Sequence, residues 1–281
     1  MMNIRSGNEE FKQYDVISEQ FDTAFIGKAL KAKDIERLKK KDKKLEESEF
    51  RRRQKILTQW KLCFYNSRLF ESKLVISHSE GWYLGVPTDI GTIWRDHLIL
   101  SPKEHFPAMN IVEEEVIQEI RNYKKGLVAY FGEKKKSVVF LETAADQEHV
   151  PHVQIDVIPI DQDLEEDVKK YFKRSLTEDD YEWSTHKKIY DTTEAKGDIS
   201  KVIPTNFNYF HMDINWQGGF AHVIEDSSKF NRKHVLEVIA GCMGEEHVNV
   251  SVPHRYEKLR ERVKAFQDKF SDKYDWTKYR K

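Results

Sequence analysis

The chain has 281 residues, 47 Lys and Arg against 48 Asp and Glu, and a formal net charge of −1. No apolar run approaches the roughly 20 residues of a bilayer-spanning helix, and the N-terminus MMNIRSGNEEFKQYD lacks the apolar stretch of a secretion signal. Cys63 and Cys242 are the only cysteines, which excludes a disulfide framework. These features predict an intracellular soluble protein with no membrane partner. The charges are unevenly spread: residues 31–55 carry a net +6 and residues 253–281 a net +5, while residues 56–252 carry −10. An acidic body between two basic ends points to nucleic acid or an acidic protein as partner.

In chain order, residues 1–58 read as a basic helical or extended arm. Strong helix formers dominate from Phe21 to Thr58, without a proline and with only Gly27. Ile35, Leu38 and Leu45 share a stripe, but Asp42 interrupts it and no heptad is sustained. Lys39, Lys40, Lys41, Arg51, Arg52 and Arg53 are the candidate contacts of this arm to an RNA backbone or an acidic protein surface.

Residues 59–160 read as a compact α+β unit. Short apolar runs at Leu74–Ile76, Trp82–Val86, His97–Leu100, Val138–Leu141 and Val153–Ile158 predict an antiparallel sheet. One long helix interrupts them, with Val112, Val116, Ile117, Ile120, Leu127, Val128 and Phe131 on its apolar face. Asn110 and Glu113 suggest a capping box at its start, and Gly132 a cap at its end. Residues 161–281 open with Leu164, Val168, Phe172 and Leu176 at helical spacing. Strands are expected at Tyr209–Ile214 and Phe220–Ile224, with helices near 231–241 and 254–270. No flexible linker separates the two folded parts, so they are expected to pack together.

The densest polar cluster is EHVPHVQIDVIPI, residues 148–160. In a strand, His152, Gln154 and Asp156 share one face, about 7 Å apart per step of two, and Val153, Ile155 and Val157 face the core. Pattern alone favours an amphipathic strand with a wet face over a phosphate or metal site. A second candidate is Gly218-Gly219-Phe220-Ala221-His222. Its glycines admit a close approach of phosphate to backbone amides, and Phe220 is a possible stacking ring. A tight hairpin with Phe220 in the core is the plainer reading. His211 and His222, in alternating runs, read as satisfied strand histidines.

The run HVQIDVIPI resembles the signature of the histidine-triad (HIT) nucleotide hydrolases and transferases, in which the middle histidine attacks a phosphate. Here that position is Gln154, whose amide has no basic lone pair for attack or proton exchange near neutral pH. A wider resemblance covers residues 59–275. The runs KLCFYNSRLFESKLVIS, GWYLGVPT, RDHLILSPKEHFPA, VVFLETA, YFKRSLTEDDYEWSTHKK and GGFAHVIED are similar to the tandem C-terminal domains of the CwfJ (Cwf-nineteen-like) splicing-factor family.

The resemblance implies a HIT-like first domain over 59–160 packed against a second α+β domain over 161–281. It also implies a nuclear subunit of late, intron-lariat spliceosomes, acting around lariat release and disassembly. Nothing resembles the N-terminal metallophosphoesterase-like domain of one branch, so the match is to the spliceosome-bound branch. The implied partners are spliceosomal proteins and RNA (snRNA or intron lariat), with a DEAH-box disassembly helicase or a debranching enzyme among the candidates.

Family members begin the first domain with Cys-x-x-Cys and complete a zinc site with two later histidines. Here Trp60 stands at the first ligand position, and Cys63, His105 and His152 match the other three. Structural zinc nearly always has four protein ligands, so this is a remnant set, with His149 or His97 as possible substitutes. The leading expectation is a non-catalytic splicing factor. The alternatives are an active HIT-type nucleotide or RNA phosphoester hydrolase, and a protein-only scaffold for a helicase or debranching enzyme.

Overall fold

The structure, a computed structural model, describes residues 32–59, 63–64, 74–87, 96–145, 147, 152–178, 189–205, 207–227, 230, 232–244 and 256–279. By its contacts the chain divides into two units, residues 1–52 and 53–281. In the first, helix α1 (Ala32–Gln59, which continues past the division) carries exposed Leu38, Leu45 and Phe50 among its charges. No stripe on it is apolar enough to build a core of its own.

The body is α+β, as the sequence predicts. Its strands are β1 (Val75–His78), β2 (Trp82–Gly85), β3 (Leu98–Pro102), β4 (Lys136–Ala144), β5 (Ile155–Asp161), β6 (Tyr190–Asp191), β7 (Tyr209–Ile214) and β8 (Gly219–Val223). They form one eight-stranded sheet, ordered β1-β2-β3-β5-β4-β7-β8-β6, in which every pair is antiparallel. The central β4 pairs with β5 on one side and β7 on the other, so the sheet runs unbroken across residue 160.

Helices cover both faces. Alternation along each strand divides the apolar side chains between two cores. Val138, Phe140, Ile155, Val157, Leu98 and Leu100 pack under α2 (Glu114–Gly132) and α5 (Tyr256–Phe270). Val139, Leu141, Ile158, Ile160, Phe210, Met212 and Phe220 pack under α3 (Glu165–Glu178) and α4 (Arg232–Cys242). Helix α2 contributes Ile120, Tyr123, Leu127, Tyr130 and Phe131 to its core; Ile120, Leu127 and Phe131 lie on the face its periodicity predicts, whereas Val116, Ile117 and Val128 are only partly buried. Its start differs from the sequence reading. A 3₁₀ turn, Met109–Ile111, comes first, and Glu113 is the N-cap without a side-chain cap. Asn110 instead donates to the carbonyl of Pro204. Glu114 and Glu115 in the first turn complement the helix dipole in place of a capping box.

Behind α5, the C-terminal segment returns to β1. Ser77 Oγ donates to Asp275 Oδ1 at 2.9 Å, and Tyr123 and Trp276 meet edge to face. No helix among the described residues is long and apolar enough to cross a membrane.

Candidate functional site

The segment 152–156 is arranged differently from a single polar row. Strand β5 begins only at Ile155, so His152 lies in the bend before it. The amide of Val153 is bound by the carbonyl of Phe106, and the carbonyl of Val153 accepts from Ser101 Oγ. This double tether swings His152 onto the loop that carries His105, and the two rings stand 4.4 Å apart. Cys63, His105 and His152 converge there, with their ligand atoms all within 4.8 Å of one another. No other group of three or more potential ligands comes together among the described residues.

Cys63 Sγ is 3.7 Å from His105 Nε2. A tetrahedral zinc with Zn–S about 2.3 Å and Zn–N about 2.05 Å puts those atoms roughly 3.6 Å apart, so the spacing suits the ion. His152 adds a second sign. It is 1% exposed, and neither ring nitrogen makes a hydrogen bond of good geometry. Burial, then the neighbouring His105, push its pKa down to about 3, against weaker opposing effects of the Pro102 and Glu104 backbone. A neutral, buried imidazole with free nitrogens is the form that binds metal. The donor set of one thiolate sulfur and two imidazoles fits zinc chemistry. Trp60 and His149 lie outside the described residues.

Gln154 and Asp156 turn away from that cluster. Asp156 Oδ1 meets His97 Nε2 at 3.0 Å and accepts from Gln154 Nε2 at 3.2 Å. All three are buried, at 0% exposure for His97, 2% for Asp156 and 7% for Gln154. The wet face expected of this segment is absent because both faces of residues 152–160 are covered. His97 is committed to Asp156 and stands outside the Cys63 cluster.

The Gly218-Gly219 turn is built for close packing. Gly218 has φ +95, and a Cβ there would lie 2.6 Å from Thr193 Cα; one at Gly219 would lie 2.3 Å from the Met212 carbonyl. Their amides donate to Asp213 Oδ1 at 3.0 Å and Thr192 Oγ1 at 2.9 Å. Phe220 is 2% exposed, beside Phe172, and His222 is half-buried on the same strand. On α1, Lys39, Lys40, Lys41 and Arg51 are exposed, and Arg51 faces Glu47 at 3.6 Å. Arg52 and Arg53 are helical.

A further polar group lies beneath α2. Lys124 Nζ meets Asp213 Oδ2 at 2.8 Å. Tyr209 donates to Glu142 Oε1, which also accepts from the Met109 amide. Desolvation raises Glu142 to about 7 and lowers His211 to about 4. His211 Nε2 lies 3.3 Å from Thr192 Oγ1. The sequence held a signal for this group: Lys124 interrupts the apolar face between Ile120 and Leu127, and Tyr209, His211 and Asp213 alternate along one strand face.

Two family models match the chain. Residues 47–173 match "Protein similar to CwfJ C-terminal" and residues 182–277 match "Protein similar to CwfJ C-terminus 2". Human CWF19-like protein 2 is 30% identical over 224 residues, 79% of this chain and 24% of that protein. The Caenorhabditis elegans homolog of that protein is 30% identical over 250 residues, 88% of this chain and 53% of its own length. Pre-mRNA-splicing factor cwf19 of Schizosaccharomyces pombe is 28% identical over 212 residues, 73% of this chain and 33% of that protein. The chain thus spans from about a quarter to about half the length of these relatives. Two models in tandem on one continuous sheet carry the assignment: the chain belongs to the CwfJ/Cwf19-like family.

Proposed function

We propose that the chain is a nuclear, non-catalytic pre-mRNA splicing factor that binds RNA and spliceosomal proteins in the post-catalytic, intron-lariat spliceosome. The name of the fission-yeast relative supports the splicing role. The observation that carries the non-catalytic part is the buried Gln154 amide, tied to Asp156 at the position where a HIT-like site needs a nucleophile. An amide so placed neither attacks phosphorus nor relays a proton.

In this reading residues 59–160 are the HIT-like domain, residues 161–281 the second domain, and residues 1–58 an arm that runs along the assembly. Lys39, Lys40, Lys41, Arg51, Arg52 and Arg53 supply phosphate contacts. Six contacts to a single strand give a log–log salt slope of about −4, or some 300-fold weaker binding from 50 to 200 mM salt. Cys63, His105 and His152 would hold zinc, which would cross-link three chain segments. A DEAH-box disassembly helicase or a debranching enzyme is the protein partner that acts at this stage.

The test is an assay of the purified chain against dinucleotide polyphosphates and branched RNA, with RNA affinity measured across the same salt range. The proposal expects no turnover and salt-sensitive binding. Cleavage that disappears on His152→Ala overturns it in favour of a hydrolase. Crosslinks to spliceosomal proteins without any to RNA favour a protein-only scaffold.

A further inference from the structure

Helix α5 carries Lys258, Arg262, Ala265 and Lys269 at helical spacing on one stripe, beside an adjoining stripe of mixed charge formed by Glu257, Glu261, Lys264 and Asp268. Arg262, Ala265 and Lys269 border a cleft of about 160 Å³, whose floor is Val86, Leu98, Tyr130 and Phe266. Lys134, just beyond the end of α2, enters from the opposite wall, with its ammonium 3.7 Å from the centre of the Tyr130 ring. Asp96 is the one acidic side chain among the described lining residues.

Three cations, two on α5 and one just past the end of α2, therefore line the cleft with one acid over an apolar floor. Lys134 forms no salt bridge with a described residue; desolvation lowers its pKa, and the nearby Asp96 offsets this only in part, so a further anion would relieve the ammonium. Lys269 also lacks an ion-pair partner among the described residues, whereas Arg262 donates to the carbonyl of His97 at 3.2 Å and so is anchored as part of the wall. This cleft lies on the face of the sheet covered by α2 and α5, apart from the Gln154–Asp156 pair.

We propose that the cleft lined by Lys134, Arg262 and Lys269 is a binding site for the phosphodiester backbone of a single RNA strand. Phosphates meet the three cations and ribose carbons cover the apolar floor. Arg262 and Lys269 are separated by about 10 Å of helix axis, a span suited to a run of phosphates rather than to one. A strand of alternating charge and sugar also fits the mixed lining better than an acidic peptide does. The choice of RNA rests on the splicing reading above; the anionic character of the ligand rests on the cleft alone.

The experiment measures binding of a fluorescent single-stranded RNA to the full chain over a range of salt. It compares the wild type, K134Q/K269Q and the charge-matched K169Q/K170Q on α3. The proposal expects K134Q/K269Q to bind roughly tenfold more weakly and to flatten the log–log salt slope by about 1.5, the loss of two phosphate contacts. K169Q/K170Q leaves both unchanged, and circular dichroism shows all three folded. RNA bound by the wild type but unaffected by K134Q/K269Q overturns the cleft assignment and leaves the splicing reading intact. A wild type that binds no RNA overturns both. Displacement of the RNA by micromolar inorganic phosphate overturns the strand in favour of a free-anion site. Polyglutamate binding that K134Q/K269Q weakens, while RNA binding stays as it was, assigns the cleft to an acidic peptide.

Discussion

Beneath α2, Lys124 meets Asp213, Asp213 holds the Gly218 amide, and Tyr209 meets Glu142. In the bend before β5, His152 is buried as deeply, yet neither of its ring nitrogens makes a hydrogen bond of good geometry. Burying a polar group without a hydrogen bond costs on the order of 1–3 kcal/mol. A ligand that takes up those lone pairs, as a metal ion does, would offset that cost. The first cluster reads as architecture, and the second is the one we propose as a ligand site. Burial alone does not separate them; the state of the remaining lone pairs does.

The Lys124 cluster breaks most readily at Asp213. Asp213→Ala leaves Lys124 with an uncompensated buried charge, and urea unfolding should show a loss of about 3–5 kcal/mol. Replacing the pair together, as Lys124→Met with Asp213→Leu, should cost much less. If the double change costs as much as the two single ones added, the pair is not acting as a unit.

Glu142 in the same cluster sets a pH signature. Its folded pKa, raised by desolvation to about 7, exceeds its unfolded value, so the native state holds the proton longer. Its contribution to stability therefore falls as pH rises from about 4.5 to about 7, and levels off above that. His211 has the opposite sign. Its folded value of about 4 lies below the unfolded one, so stability is lost as pH falls from 6.5 towards 4. Glu142→Gln removes the first effect and keeps the second. Relative to the wild type it should gain up to about 3 kcal/mol between pH 4.5 and 7. A difference between the two proteins that stays flat over that range contradicts the assignment.

The His152 cluster should respond to metal where the other does not. Zinc at a hundred times its dissociation constant adds about 2.7 kcal/mol, and a body of this size should then melt roughly 5–10 °C higher. Chelator should abolish the gain. Differential scanning calorimetry of Cys63→Ser and His152→Ala checks the ligands, since a gain that survives both substitutions places the ion elsewhere. The smallest effect belongs to the surface. Lys136 and Asp161 pair at 2.8 Å but are partly exposed, so Lys136→Ala should change stability by less than about 1 kcal/mol in the same unfolding assay.

Much of the fold was legible in the sequence because its signals are local. The α2 face from Ile120 to Phe131 follows the helical period, and the strands fall on the runs rich in β-branched and aromatic residues. Which strands pair was not legible: the β4–β7 pairing joins Val139 to Ile214, and no short-range pattern encodes it. At the candidate site, the convergence of Cys63, His105 and His152 followed from a resemblance rather than from spacing. The alternating pattern runs back through His152, so the sequence carries no local signal for the bend that separates His152 from Gln154. The strand starts at Ile155, after the Phe106 carbonyl and Ser101 hydroxyl have taken up the backbone of Val153. The Lys124–Asp213 pair is not legible because a lysine on an apolar helix face and an aspartate in a strand carry no pairing signal until the fold joins them.

The central claim is that the chain works as a binder within the splicing machinery. Its most direct test is to purify the tagged, full-length protein from its own cells under mild salt and sequence the RNA that accompanies it. The account predicts snRNA together with excised intron lariats, retained when Gln154→Ala is introduced. Recovery of the protein with no spliceosomal RNA, and none of the spliceosomal proteins, would contradict it.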